Sequence, residues 1–159
     1  MIQGVEVKNL KLIPDERGFL MEILRCDDSI FERFGQVYIT GCKKGFAKAW
    51  HYHMDQSDHF VCVLGKGLVV LYDMREDSST FKKAQEFILE APPCKNNEPL
   101  LIKIPPLIVH GFTALECEET RILNVPTLPY RYDNPDEYRF PWNSEEIPYK
   151  WPSYIKNGG

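Results

Sequence analysis

The apolar residues of this sequence recur at every second position in short runs, and each run is cut off by glycine, proline or an Asn/Asp cluster. That period belongs to strands, whose successive side chains point to opposite faces. It predicts strands at Gly18 to Arg25, Gln36 to Cys42, Phe46 to His53, Asp58 to Leu64, Leu68 to Met74, Glu86 to Glu90, Leu100 to Ile104, His110 to Glu116 and Arg121 to Thr127. Gly65-Lys66-Gly67 marks a hairpin, because glycine accepts the positive φ of a tight turn. Many short strands at this spacing make an all-β sandwich or barrel. One short helix is expected, with Asp27-Asp28-Ser29 capping a turn that runs to Phe34. From Pro129 onward the chain is rich in Pro, Tyr and Trp, too apolar to float free, and is expected to wrap the barrel or a partner subunit.

With 159 residues and neither linker nor repeat, residues 1–159 are expected to form one domain. The net charge of −4 argues against a nucleic-acid partner, which calls for a basic excess. No apolar run reaches membrane-spanning length, and Met1-Ile2-Gln3-Gly4-Val5-Glu6 lacks the layout of a signal peptide. The five cysteines are odd in number and form no C-x-x-C pair, which fits free thiols in a reducing cytoplasm.

The histidines carry the chemistry. His51 and His53 are two apart, so on a strand they project to the same face. Packing rarely needs two imidazoles there; metal ligation and proton transfer both do. Tyr38 shares a strand face with Gln36 and Thr40 by the same count. Gly45, His51-Tyr52-His53, Asp58 and Gly65 resemble the first motif of the cupins, with Asp58 where Glu is usual. Pro105 to His110 resembles the start of the second, with Leu107 where Gly is usual. That resemblance implies a double-stranded β-helix, or jelly-roll barrel, and offers His51, His53, Asp58 and His110 as ligands for a divalent transition metal.

A closer resemblance covers nearly the whole chain. Asp15 to Glu22 is similar to the D-x-R-G-x-x-x-E segment of the dTDP-4-dehydrorhamnose 3,5-epimerase family, and Ala47 to Tyr52 to its R-G-L-H-[FY]. Val70 to Arg75 with Ser79-Thr80-Phe81 resembles its D-x-R and S-P-T-F, and Ile104 to Phe112 its I-P-x-x-x-x-H-G-F. Tyr132 to Pro135 and Trp142-Asn143 resemble its Y-x-P and W-N. The resemblance implies an isomerase in deoxysugar or polysaccharide biosynthesis, a homodimer without cofactor. It would remove a proton beside the ketone of a 4-keto-6-deoxy sugar nucleotide.

By this resemblance His51 is the base and His110 the second pocket histidine, while Arg17, Glu22 and Lys48 hold the nucleotide. Gln36, His59 and Tyr132 are further candidates for substrate contact, and His53 for proton relay. The chain also departs from the pattern. The family's acid tyrosine falls at Leu123, which cannot donate a proton, leaving Tyr38, Tyr130 or Tyr132 to replace it. The lysine after the base corresponds to His59, and the aspartate that partners the base has no counterpart. These departures leave open a 3,4-ketoisomerase that shuttles a proton on one face, a metal cupin, and a non-catalytic carbohydrate- or nucleotide-binding module.

Overall fold

A computed structural model describes residues 1–94 and 98–159. Among these residues the chain forms thirteen strands and no helix. They are β1 Glu6–Asn9, β2 Leu12–Asp15, β3 Gly18–Met21, β4 Tyr38–Lys43, β5 Phe46–Tyr52, β6 Asp58–Leu64 and β7 Lys66–Asp73. The rest are β8 Ala84–Glu90, β9 Leu100–Ile104, β10 Ile108–Ala114, β11 Glu119–Asn124, β12 Tyr138–Arg139 and β13 Asn157–Gly158. One sheet runs β1-β9-β6-β11-β4; a second runs β12-β5-β10-β7-β8, with β13 alongside β5; β2 and β3 form a separate hairpin. The two large sheets face one another as a jelly-roll barrel.

Alternation explains the layering. Phe60, Cys62, Val69, Leu71, Ile102, Ile104, Ile108, Phe112 and Ile122 point inward and fill the core between the sheets. Their neighbours point outward and are covered in turn. Leu68, Val70, Tyr72 and Val109 meet the C-terminal segment through Ile147, Ile155, Tyr149 and Trp151. On the other sheet, Val61 and Leu101 lie under Leu10 and Ile30. Cover on both faces is why β10 is buried along its whole length. The tail therefore wraps its own barrel, as β12 and β13 show by pairing with the two ends of β5 along the edge away from β10.

The expected helix at residues 27–34 does not form. Asp28 accepts from the backbone N–H of Arg25 and from Lys8 Nζ, and Asp27 pairs with Arg25. Their carboxylates are thus spent on a turn rather than on a helix N-terminus, and the segment crosses the outer face of the first sheet to bury Ile30. The predicted strand 18–25 stops at Met21.

Candidate active site

Between the sheets opens a cavity of about 810 Å³. Its walls come from opposite sheets. β5 and β10 contribute Lys48, His51 and His110, with His53 just beyond the end of β5, while β4 and β6 contribute Tyr38, Thr40 and Phe60. The rim is residues 128–131 and 134–139 of the C-terminal segment.

Lys48 and His51 are three apart and would face opposite ways on a regular strand. They line one cavity because β10 and β5 slip register between His110 and Phe112, so that Ala49 and Trp50 both turn outward into the tail's cluster. Gly111 permits the slip. A Cβ there would stand 2.4 Å from that of Ala49, so only glycine lets the strands approach this closely.

His51 pairs in register with His110, and its Nδ1 lies 3.2 Å from Glu137 Oε1. The hydrogen bond to His51, aided by Arg139, pushes the Glu137 carboxyl down to about 2 despite partial burial. A carboxylate on Nδ1 leaves Nε2 as the ring nitrogen free for chemistry. By the resemblance His51 is expected to lack a carboxylate partner, since the aspartate has no counterpart; instead Glu137 supplies a carboxylate from a position 86 residues away in sequence. No spacing rule announces it.

Behind His51 lies a buried polar cluster. Asp58 Oδ2 is 3.1 Å from His53 Nε2 and 3.4 Å from His110 Nε2, and Asp58 Oδ1 accepts from Gln56 and Asn124. Burial opposes charge on His53, but the hydrogen bond and field of Asp58, reinforced by Asp136, lift its pKa to about 9. His110, more deeply buried, is driven down to about 4 in spite of Asp58. The cluster holds His53, Asp58 and His110 with ligand atoms within 4.8 Å of one another. His51, the fourth ligand expected from the resemblance, lies outside this group.

Asn124 fixes the far wall. Its Oδ1 accepts the His59 N–H, so its amide nitrogen must be the atom that donates to Asp58 and, at 2.9 Å, to Tyr38 Oη. Tyr38 Oη is an acceptor in that bond, and its own O–H stays available to the cavity. Burial and the charge of Asp58 push its pKa up to about 12, so it stays protonated at neutral pH. Asn124 is the register partner of Tyr38 and points inward from β11 on the same face as Ile122. Leu123 points the other way, packing on the outer face.

Other expected residues lie elsewhere. His59 follows Asp58 on β6 and so faces outward; it is fully buried, its ring nitrogens against the carbonyls of Val125 and Ile30. It does not line the cavity. Arg17 and Glu22 sit on and beside the exposed β2–β3 hairpin, paired with Asp15 and Arg25, outside their own chain's cavity. Tyr130 and Gln36 line the cavity; Tyr132 is 92% exposed and packs edge-on against Tyr130 instead.

Known proteins resemble this chain along nearly its whole length. The family model described as dTDP-4-dehydrorhamnose 3,5-epimerase matches residues 1–157. The spore coat polysaccharide biosynthesis protein SpsL of Bacillus subtilis is 38% identical over 151 residues, covering 95% of this chain and 97% of its own. The probable low-salt glycan biosynthesis epimerase Agl13 of Haloferax volcanii is 38% identical over 156 residues, 97% of each chain. A solved dTDP sugar isomerase from Desulfovibrio desulfuricans G20 superposes with a TM-score of 0.85 at 30% identity, covering 94% of this chain and 92% of its own. The chain belongs to the dTDP-4-dehydrorhamnose 3,5-epimerase family of sugar-nucleotide epimerases, and is an isomerase.

Proposed function

We propose that the protein epimerises a dTDP-linked 4-keto-6-deoxy sugar beside its ketone, with His51 as base and Tyr38 as acid. The supporting observation is their placement on opposite sheets, each with its other polar contact already made. His51 Nε2 takes the C–H proton, and the electron pair moves onto the ketone oxygen as an enolate. Tyr38 then delivers its proton to the carbon from the opposite face, which inverts the centre. The charge held on His53 lies in the same cavity and favours the enolate. Lys48, Arg131 and Arg139 bring positive charge toward the diphosphate. Incubation with such a substrate should give the inverted sugar, detectable by changed ring proton couplings. Recovery of unchanged sugar from every 4-keto-6-deoxy nucleotide offered would contradict the proposal.

The active unit is a cytoplasmic homodimer in this reading. The β2–β3 hairpin carries exposed Ile13, Phe19 and Leu20, and in this reading its exposed Arg17, paired with Asp15 within the chain, reaches a second copy's cavity. Light scattering should give twice the chain mass; a monomer at assay concentration would contradict this.

One observation favours a second reading. His53 Nδ1 and His110 Nδ1 both face backbone carbonyls, of Asp136 and Ile108, so both Nε2 atoms turn toward the same oxygen of Asp58. That donor set also fits a divalent transition metal, which would polarise the ketone. Metal analysis of protein purified without a histidine tag distinguishes the two.

A further inference from the structure

The H-x-H pair is gripped by one short stretch of chain. Asp136 lies in the C-terminal segment, yet its carboxylate accepts three successive backbone N–H groups of the turn after β5: Met54 at 2.7 Å, Asp55 at 2.9 Å and Gln56 at 3.0 Å. Its own carbonyl accepts from His53 Nδ1. The next residue, Glu137, holds His51 Nδ1, and β12 follows at once, pairing Tyr138 with Tyr52 and Arg139 with His51. Arg139 in turn grips Glu137 through Nε at 3.0 Å and Nη2 at 2.7 Å.

We propose that Asp136 is a positioning residue: by pinning its segment to the 54–56 turn it seats the Glu137 carboxylate on His51 and its own carbonyl on His53, fixing both rings as Nδ1–H donors with Nε2 turned inward. The physical reason is that an anion held by three N–H groups is anchored more firmly than any single contact of a surface segment. The two contacts to the histidines are separated by one peptide, so the anchor sets both together. This rests on the reading of His51 as the base, and it concerns how that base is held.

The test is Asp136→Asn, which keeps the size but loses the anion and turns an amide N–H₂ toward backbone donors. Turnover should fall by about 10-fold to 100-fold, the cost of a small misplacement of a reacting group. The KM for the sugar nucleotide should stay within about threefold, since the loss falls on the chemical step. Nitrogen-15 spectra should show the Nδ1–H signals of both His51 and His53 displaced. Asp73→Asn, in a buried cluster outside the cavity, should lower the melting temperature while leaving those signals and kcat unchanged. Wild-type kcat in Asp136→Asn, or a lost kcat with both Nδ1–H signals unmoved, overturns the proposal. Should that variant not fold, the wild-type spectrum decides: hydrogen on Nδ1 of both rings supports the proposal, and hydrogen on His51 Nε2 in place of Nδ1 overturns it. If His51→Asn keeps full activity while the His53 signal is intact, the reading of the base fails and the anchor stands.

Discussion

Asp58 and Asp73 are both buried strand-end carboxylates, yet they do different work. Asp73 accepts from Arg75 Nε and Nη2 at 2.9 and 2.8 Å, and from Ser78 and Thr80 hydroxyls at 2.6 Å each. These contacts hold its carboxyl well below the usual range despite burial, and none of its partners titrates near neutrality. Arg75 also reaches the Gln3 carbonyl, so the cluster ties the N-terminal segment to the barrel. Asp58 instead faces an amide pair and two imidazoles, and both imidazoles line the cavity. Burial and a shifted pKa therefore do not by themselves mark a site. Titratable partners opening onto a cavity do.

The contrast can be broken first by the base. His51→Asn should lower turnover by about 10²-fold to 10⁴-fold, the range of general acid–base catalysis, and leave the melting temperature nearly unchanged because His51 sits at the cavity wall. Asp73→Ala should do the reverse. Removing one partner of a buried pair costs on the order of 3 kcal/mol of stability in denaturant unfolding, while kcat per folded molecule stays at wild type. Lost turnover in Asp73→Ala at a temperature where it is folded would erase the distinction.

A smaller effect separates the clusters by pH. The pKa of His53 is raised from 6.5 to about 9, so its contribution to stability is fully present below pH 6.5 and is lost as pH rises through about 9. Asp73 and its arginine contribute no such alkaline loss. Both clusters weaken in acid, since carboxyls with lowered pKa values lose their contribution as they protonate. Asp58→Asn should abolish the alkaline decline in denaturant midpoint between pH 6.5 and 9, and Asp73→Asn should leave it in place.

Much of this was legible in the sequence. β6 and β9 fall where alternation places them, at Asp58–Leu64 and Leu100–Ile104, because both carry an apolar face into the core and end at glycine or proline. The same parity would have placed His59 correctly: Asp58 and His59 are adjacent on a strand, so only one of them can point inward between the sheets. The helix at 27–34 failed because a capping sequence needs an amphipathic period after it, and here Lys8 and Arg25 take the carboxylates. Lys48 joins His51 only through a register slip at Gly111, and Glu137 and Asp136 reach the histidines across more than 80 residues of chain. Such contacts depend on how the tail docks, which no local pattern encodes.

The most direct test of the two-wall mechanism is turnover in deuterated water, with the sugar analysed by mass spectrometry and NMR. The wild type should place solvent deuterium at each inverted carbon next to the ketone. Tyr38→Phe should still exchange that hydrogen through His51 but no longer invert the centre, because the donor on the far wall is gone. Inversion without deuterium in the wild type, or full inversion by Tyr38→Phe, would contradict the account.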